Sequence, residues 1–399
     1  MSLFSTVEMA PRDPILGLNE AFNADARKEK INLGVGVYFD EDGKIPLLKA
    51  VTRAEEFRQQ ALAPRGYLPI DGIAAYDSAV QRLLFGQNSQ LIKEQRVVTA
   101  QSIGGTGALK LGADFLQSLQ TSGIVAISNP SWENHRALFG NAGYSVQEYR
   151  YYSAQNHGLD FAGMLEDLEQ LPEKTIVVLH ACCHNPTGVD LTADNWQEII
   201  KVLQRKQHIP FLDIAYQGFG QGIEEDAFAV RMLADTGISF FVASSFSKSF
   251  SFYGERVGAV SIVAANNDEA QRVLSQLKRV IRTNYSNPPT HGATIVNMVL
   301  NNPELNALWQ EELAAMRKRI QSMRSLLVEQ LKSKGANKDF SFITAQNGMF
   351  SYTGLSAAQV NRLRDEFAIY AVSTGRICVA ALNLNNINAV TDAIVEVCK

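Results

Sequence analysis

The clearest structural pattern in the chain lies in residues 175–216, which read TIVVLHACCHNPTGVDLTADNWQEIIKVLQRKQHIPFLDIAY. The segment holds two short apolar runs, 175–179 and 209–212, which are rich in β-branched and aromatic residues and bounded by turn residues. Residues 193–206, between the two runs, show helical periodicity. A buried strand, a helix and a second buried strand are the repeating unit of an α/β protein with a parallel sheet.

The same alternation continues on both sides of this segment. Two further apolar runs, 123–127 (GIVAI) and 239–243 (SFFVA), predict buried strands. Residues 161–171 and 225–236 predict helices. We therefore predict an α/β fold in which a mostly parallel sheet is flanked by helices.

The last quarter of the chain has a different pattern. Residues 303–334 form one long helical pattern, with Pro303 suited to the first turn and Gly335 suited to the stop. The apolar stretch 377–382 then predicts a strand, and an amphipathic helix is expected after Asn383.

These patterns divide the chain into two domains. A large domain is expected over residues 46–304. A smaller α/β domain would combine residues 1–45 with residues 305–399, and the helix at 303–334 would connect the two.

Composition narrows the classes of partner and compartment. The 399 residues carry a formal net charge of −4 without a basic block, which argues against nucleic acid or an anionic membrane as a partner. No apolar run approaches the ~18 residues needed to span a bilayer. Two of the four cysteines are adjacent, no CxxC spacing occurs, and no signal-peptide pattern is found, so a cytoplasmic protein is expected.

Polar residues follow each of the four predicted strands. In open α/β sheets, ligands bind beyond the carboxyl ends of the strands, so these residues predict one crevice. The alternative is that they are ordinary polar loop residues. They are Trp132 and His135 after the first strand, Asn185 after the second, Asp213 and Tyr216 after the third, and Ser245 and Lys248 after the fourth.

The strongest local signal is SSFSK, residues 244–248. A lysine just after a buried strand is partly desolvated, which lowers its pKa and frees its amine to attack a carbonyl group. Neighbouring serines can bind a phosphate, and Arg256, eight residues after Lys248, is a candidate anion ligand. The alternative for an isolated lysine is a solvated position at a strand end.

GGTGALK, residues 104–110, opens a predicted helix whose free N–H groups can hold a phosphate. It lacks the spacing of a P-loop or of GxGxxG, which argues against a nicotinamide-dependent oxidoreductase. Asp213 is either a helix cap or a carboxylate placed under a cofactor ring.

Residues 180–184 include histidines and cysteines, which are common metal ligands. Strand-like alternation would put His180, Cys182 and His184 on one side, with Cys183 between them. No second ligand pair with standard zinc spacing accompanies them, so no metal site is predicted.

Six motifs, in order along the chain, resemble those of the class I (fold-type I) pyridoxal-phosphate aminotransferases. The resemblance is greatest to bacterial aromatic amino-acid (tyrosine) aminotransferases, which are related to aspartate aminotransferase. The motifs are YLPIDG (67–72), HNPTG (184–188), FLDIAYQGF (211–219), SSFSKSFSFYGERVG (244–258), NYSNPP (284–289) and GMFSYTG (348–354).

This resemblance implies pyridoxal 5′-phosphate as cofactor, held on Lys248 as a Schiff base, with Lys248, Asp213 and Tyr216 as the residues of the chemistry. Asp213 would pair with the ring nitrogen, with His135 behind it. The other cofactor contacts would be Tyr216 and Asn185 at the phenolic oxygen, Trp132 on the ring, Gly105, Thr106, Ser245 and Arg256 at the phosphate, and Tyr67 reaching that phosphate from the other subunit of a homodimer.

The resemblance also implies the substrate contacts. Arg376 would bind the α-carboxylate with the Gly36 N–H, and Arg282 would bind a second carboxylate across the dimer. Trp132 and Asn185 would also contact the substrate. The expected activity is transfer of the amino group of tyrosine or phenylalanine, and of aspartate or glutamate, to 2-oxoglutarate by a ping-pong mechanism.

Two residues bear on the choice of substrate. Phe39 and Ile45 are apolar residues in the stretch that resembles the segment covering the substrate, and they favour an aromatic side chain. The alternatives are aspartate aminotransferase as the main activity, other chemistry with the same cofactor, and a binding protein without catalysis.

Overall fold

The computed structural model describes residues 2–11, 13 and 15–399. Its centre is a seven-stranded sheet. The strands, in chain order, are β1 (Val97–Ile103), β2 (Ile124–Asn129), β3 (Ser145–Arg150), β4 (Ile176–His180), β5 (Ile209–Ile214), β6 (Phe240–Ser245) and β7 (Val257–Val263).

The sheet is mostly parallel, with the spatial order β1-β7-β6-β5-β4-β2-β3. Only β7 runs in the opposite direction, antiparallel to both β1 and β6. The predicted α/β fold is therefore confirmed, and the four predicted strands are β2, β4, β5 and β6. The strands β1, β3 and β7 are additions to the sequence prediction. Strand β3 (SVQEYR) lies at the edge of the sheet and is rich in polar residues. It therefore lacks the apolar run by which the other strands were predicted.

Helices pack on both faces of this sheet, and further helices lie in the N-terminal and C-terminal parts of the chain. In the described residues they are α1 (Leu16–Ala24), α2 (Lys49–Gln60), α3 (Ala74–Phe85), α4 (Gln90–Lys93), α5 (Gly104–Leu116), α6 (Glu133–Asn141), α7 (Phe161–Gln170), α8 (Ala193–Arg205), α9 (Phe228–Ala234), α10 (Asn267–Asn284), α11 (His291–Asn301), α12 (Pro303–Ser333), α13 (Ala357–Phe367) and α14 (Ile387–Val397). None of them combines the length and the apolar character of a membrane span.

Burial on both faces explains the continuous apolar runs of the strands. In β4, Ile176 and Val178 pack into one core cluster, and Val177 and Leu179 pack into the other. A parallel strand covered on both faces has no solvated side, so its residues are apolar without alternation.

The N-terminal and C-terminal parts of the chain pair with each other. Strand Ile31–Asn32 runs parallel to Ile369–Tyr370, and Phe350–Tyr352 runs antiparallel to Arg376–Cys378. A short hairpin, Tyr152–Ser153 with Gly158–Leu159, stands apart from these ladders. The domain boundaries proposed from the sequence stay a prediction.

The ends of the long helix α12 follow from its sequence. The Asn302 side chain accepts hydrogen bonds from the N–H groups of Glu304 and Leu305, and Pro303 occupies the first turn. Gly335 follows the helix with φ of 75°, a conformation that favours glycine.

Two of the elements predicted from the sequence differ in detail. The strand predicted over 377–382 was wrong in its second half, since the strand is Arg376–Cys378 and a 3₁₀ turn, Val379–Ala381, follows. The whole run is buried, so its composition does not distinguish the two forms. The helix predicted over 225–236 begins as a 3₁₀ turn, Glu225–Ala227, before α9.

Helix α5 lies so close to the sheet that Gly112 has no room for a side chain. A Cβ on Gly112 would lie 2.5 Å from Cζ of the buried Phe211 of β5. We predict that Gly112→Ala destabilises the protein by about 1–3 kcal/mol, because the ring has nowhere to move. The measurement is the midpoint of thermal or urea unfolding.

The matched control is Gly140→Ala in α6, where a Cβ would meet nothing within 4 Å. This variant should be neutral or more stable by up to about 1 kcal/mol, through helix propensity. Equal stability of the two variants would contradict the packing argument.

Candidate functional site

The parallel strands end at one edge of the sheet, and a cavity of about 250 Å³ lies beyond that edge. Eleven of the residues predicted for the site line this cavity. They are Gly36, Gly105, Thr106, Trp132, Asn185, Asp213, Tyr216, Ser245, Lys248, Arg256 and Arg376.

Lys248 is half-buried in the loop after β6, with its ammonium nitrogen 4.8 Å from the centre of the Tyr216 ring. Burial lowers the pKa of Lys248 from 10.5 to about 8, which outweighs the opposite influence of the Asp213 carboxylate. The amine is therefore partly unprotonated near neutral pH, as a nucleophile or a base requires.

Asp213 is buried at the end of β5, and its Oδ2 lies 2.8 Å from Nε2 of His135. Burial alone would raise the pKa of Asp213, but the hydrogen bond from His135 and the nearby His135 and Lys248 hold it below its usual value. The Ser131 hydroxyl lies 2.8 Å from the other ring nitrogen of His135. The carboxylate is thus kept ionised under the cavity.

His180, at the end of β4, also lines the cavity. Burial and the neighbouring His135 together lower the pKa of His180 to about 3, against the opposite influence of Asp213, so the ring is neutral. Neither ring nitrogen has a partner among the described residues. Buried polar atoms are normally hydrogen-bonded, so these two are open to a bound molecule or to water.

An anion-binding corner lies where α5 begins. Gly104 has φ of 67°, and a Cβ there would lie 2.5 Å from Nη2 of Arg256. A Cβ on Gly105 would lie 3.1 Å from Cβ of Ser245. The lack of side chains lets Arg256 and Ser245 approach the first turn of α5, whose free N–H groups favour an anion.

Arg376 is buried and also lines the cavity. Its Nη1 donates to Oδ1 of Asn185 at 3.3 Å, and its Nη2 donates to the carbonyl oxygen of Gly34 at 2.6 Å. Both acceptors are neutral, and Nε has no partner among the described residues. A buried cation costs free energy unless it is paired, so this guanidinium is prepared for an anionic ligand.

Phe350 forms the platform for that guanidinium, which lies 4.4 Å above the centre of its ring. The backbone around Phe350 is held by Arg324 of α12, whose Nη2 donates to the carbonyl oxygens of Gly348 at 2.6 Å and Phe350 at 3.1 Å. Sequence reasoning did not single out Phe350, although it lies within the motif GMFSYTG.

Two predicted residues lie outside the cavity of the single chain. The Tyr67 side chain is 94% exposed. Arg282 is exposed at the end of α10, where its Nη1 bonds the Ser286 hydroxyl. Both were predicted to act across a dimer, so their roles stay predictions.

The apolar wall of the cavity differs from the one expected. Neither Phe39 nor Ile45 is among the lining residues: Phe39 packs against the core, and Ile45 is 46% exposed. The apolar wall comes instead from residues that the sequence did not single out, because their contacts depend on the folded chain. These are Ile15, Leu109, Ala215 and Phe350, and the polar Ser247 was also missed.

His180 lies in a different cluster of polar side chains from Cys182 and Cys183. Strand β4 ends at His180, so the alternation assumed beyond it does not continue. His180 groups with His135 and Asp213, whereas Cys182 and Cys183 group with the buried Asp226. Asp226 already accepts hydrogen bonds from three backbone N–H groups, at 2.8–2.9 Å.

Known proteins resemble this chain over its whole length. The family model "Aminotransferase class I and II" matches residues 28–394. A curated aspartate aminotransferase of Pseudomonas aeruginosa is 68% identical over 397 residues, and the alignment covers 100% of each chain.

Two solved structures have nearly the same fold. An aromatic-amino-acid aminotransferase from Burkholderia pseudomallei, covalently bound to pyridoxal phosphate, has a TM-score of 0.98 with 65% identity, and 100% of each chain is covered. An aromatic amino acid aminotransferase from Psychrobacter sp. B6, cocrystallised with aspartic acid, has a TM-score of 0.97 with 45% identity, again with 100% of each chain covered. With the family model matched from residue 28 to residue 394, this chain belongs to the class I and II aminotransferases.

Proposed function

We propose that this chain is a pyridoxal-phosphate-dependent aminotransferase for aromatic and dicarboxylic amino acids, with 2-oxoglutarate as the amino acceptor. The observation that carries the proposal is the content of one cavity. It holds a lysine of lowered pKa, Lys248, together with an anion-binding helix start and the buried Arg376. An α-amino acid has a carboxylate for the arginine and an amino group to present toward the lysine.

The residues around Lys248 fit pyridoxal 5′-phosphate, which combines an aldehyde, a protonatable ring and a phosphate. The ionised Asp213 carboxylate suits the protonated ring nitrogen of the cofactor. The two imidazole nitrogens of His180, which have no partner among the described residues, can form further hydrogen bonds in the same cavity. The proposed contacts are Lys248 at the aldehyde, Trp132 on the ring face, Asn185 and Tyr216 at the phenolic oxygen, Gly105, Thr106, Ser245 and Arg256 at the phosphate, and Tyr67 from a second subunit.

When bound, this cofactor supplies a carbonyl carbon for the amino group and a ring that takes up the electron pair left as the α-hydrogen departs as a proton. The Nζ of Lys248 accepts that proton, because its lowered pKa leaves the amine partly unprotonated. Asp213 stays ionised beside His135 and so favours a positive charge on its ring partner. Burial raises the pKa of Tyr216, which keeps its hydroxyl neutral as a hydrogen-bond donor.

Arg376 orients the substrate. Its planar guanidinium matches a carboxylate in two parallel hydrogen bonds, and no described residue occupies its Nε. Asn185 and Gly36 adjoin it in the cavity, so the α-carboxylate would be bound by the guanidinium together with the Gly36 N–H. Arg282 of a second subunit would bind the side-chain carboxylate of aspartate or glutamate.

The similar proteins and the cavity wall both support activity on aromatic as well as dicarboxylic amino acids. The similar proteins include an aspartate aminotransferase and aromatic aminotransferases, one of them cocrystallised with aspartic acid. Ile15, Leu109 and Phe350 supply apolar surface against which an aromatic side chain can be buried. Aspartate aminotransferase as the main activity is the second candidate, supported by the 68% identity to the Pseudomonas protein.

A homodimer and a cytoplasmic location complete the proposal. Exposed apolar side chains at Leu47 (88%), Leu62 (86%) and Tyr67 (94%) suit a covered surface near the site. Four free and buried cysteines, Cys182, Cys183, Cys378 and Cys398, suit a reducing compartment.

The first test is the half-reaction without any 2-oxo acid. Protein loaded with pyridoxal phosphate should convert one equivalent of L-aspartate or L-phenylalanine per subunit to its 2-oxo acid and then stop. Lys248→Ala should slow this release by at least about 10²–10⁴-fold, because the base is lost. The measurement is 2-oxo acid released over time.

The matched control is Lys201→Ala, which removes an exposed lysine paired with Glu198 on α8. It should leave the release unchanged, and the circular dichroism of both variants should match that of the parent. Normal release by Lys248→Ala, or no release by the parent protein, would refute the proposal. Release from L-aspartate alone would favour the second candidate, and release from L-phenylalanine alone would contradict both substrate ranges.

The lowered pKa of Lys248 predicts how its reaction with the cofactor depends on pH. Only the unprotonated amine attacks an aldehyde, so the initial rate of covalent attachment of pyridoxal phosphate to the apoprotein should rise with pH and level off above about 8. Stopped-flow absorbance from pH 6 to pH 10 measures it. A rate that still rises near pH 10 would show an unperturbed lysine.

Arg282→Leu tests the proposed second carboxylate site. Loss of the guanidinium should lower kcat/KM for L-aspartate by about 10²-fold or more, because an ionic pair is lost, and should change kcat/KM for L-phenylalanine far less. Arg279→Leu, an exposed neighbour on α10, is the control and should alter neither. Equal losses for the two amino acids would contradict the role of Arg282.

A further inference from the structure

The 33–38 segment of the backbone runs along the substrate side of the cavity. Gly36 lines the cavity with Arg376, and the Gly34 carbonyl oxygen accepts a hydrogen bond from Arg376 at 2.6 Å. The N–H groups of Val35 and Gly36 donate to no group among the described residues. The segment therefore offers unpaired donors beside the buried guanidinium.

One peptide group in this segment, the one between Val37 and Tyr38, is held by two side chains from distant parts of the chain. The N–H of Tyr38 donates to Oη of Tyr253 at 2.9 Å. The Sγ of Cys378 donates to the carbonyl oxygen of Val37 at 3.5 Å, within range for a sulfur donor. The two ends of a single planar peptide group are thus bonded at the same time.

Both side chains belong to the parts of the chain that form the site. Tyr253 lies five residues after Lys248, and its own carbonyl oxygen accepts a hydrogen bond from Nη1 of Arg256 at 3.0 Å. Cys378 lies in the same short strand as Arg376. The peptide group therefore connects the loop of Lys248 with the strand of Arg376.

Burial keeps both side chains protonated in the neutral range of pH, and the bond from Cys378 requires its thiol hydrogen. It raises the pKa of Cys378 to about 11, so the thiol keeps the hydrogen that it donates. It also raises the pKa of Tyr253, so the hydroxyl remains neutral. Both bonds are therefore present throughout the neutral range of pH.

Gly36 has no side chain that could restrict its own backbone, and glycine is the most flexible residue of the chain. A Cβ at this position would lie 2.9 Å from Cζ of Phe350, so a larger residue has no room there. The orientation of its backbone depends instead on its neighbours. A planar group held at its N–H and its carbonyl oxygen cannot rotate without breaking a bond. This fixes the C-terminal side of Val37, the residue that follows Gly36, and so limits the path open to the Gly36 backbone.

We propose that Tyr253 and Cys378 are positioning residues, which hold the Val37–Tyr38 peptide so that the Gly36 N–H stays beside Arg376 and binds the α-carboxylate of the substrate. The inference rests on the proposed function, since it deepens the role assigned to Arg376 and Gly36. It concerns binding of the substrate and leaves the proton transfer by Lys248 unchanged.

The test uses the conservative variants Tyr253→Phe and Cys378→Ala in the holoenzyme. Each should raise KM for both L-aspartate and L-phenylalanine by about 3- to 10-fold, the effect of one lost hydrogen bond, with kcat within about twofold. The dissociation constant of 2-methyl-L-aspartate, measured by calorimetry, should rise by the same factor. That compound has no α-hydrogen, so it reports binding without the reaction. Cys378→Ser, which keeps a donor, should restore most of the affinity.

Two matched controls separate positioning from stability. Tyr144→Phe removes a hydroxyl that donates to the Ala113 carbonyl oxygen at 3.1 Å in the core, and Cys398→Ala removes a buried thiol near the C-terminus. Both should lower the midpoint of thermal unfolding without changing KM. If Tyr253→Phe and Cys378→Ala behave like these controls in an active enzyme, the positioning role is wrong. An inactive parent protein would instead refute the proposed function.

Discussion

The parallel pairing of β5 with β6 is the constraint on which the site depends. Its register places Asp213 opposite Ala243, so the carboxylate lies at the level where β6 approaches its end. Lys248 follows five residues after Ala243, and both side chains reach the same cavity. Parallel strands end at the same edge, so each neighbouring strand contributes to that cavity as well. A shift of this register by one residue would turn Asp213 to the opposite face of the sheet.

Desolvation then gives the cavity its chemical character. Burial lowers the pKa of Lys248. At Asp213, the hydrogen bond from His135 opposes the effect of burial, so the carboxylate stays ionised. Among the described residues, Arg376 is buried with neutral hydrogen-bond acceptors, which leaves an uncompensated positive charge in the cavity wall. The cavity therefore holds a reactive amine, a fixed negative charge and a guanidinium ready for an anion. That arrangement suits a zwitterionic substrate better than an apolar one.

The long helix α12 connects these parts mechanically. Trp309 of α12 donates to the carbonyl oxygen of Ser249, next to Lys248, at 2.7 Å. Further along the same helix, Arg324 holds the backbone around Phe350, on which the Arg376 guanidinium rests. One helix therefore supports both the loop of Lys248 and the platform of Arg376. The distance between the amine and the carboxylate site is in this way tied to a single rigid element.

The sequence by itself determined the α/β class, four strands of the sheet, the limits of α12 and most of the residues that line the cavity. These follow from local causes: apolar periodicity, glycine and proline at helix ends, and polar residues directly after the strands. The places of Gly36 and Arg376 were implied only by the resemblance to the aminotransferases. Only the tertiary structure decided which distant residues meet, as when Arg376 bonds the Gly34 carbonyl across 342 positions of sequence. It also replaced Phe39 and Ile45 by Ile15 and Phe350 in the apolar wall, because no periodicity encodes the path of the N-terminal segment. The pKa of Lys248 likewise depends on burial by residues from several strands, a property that exists only once the chain has folded.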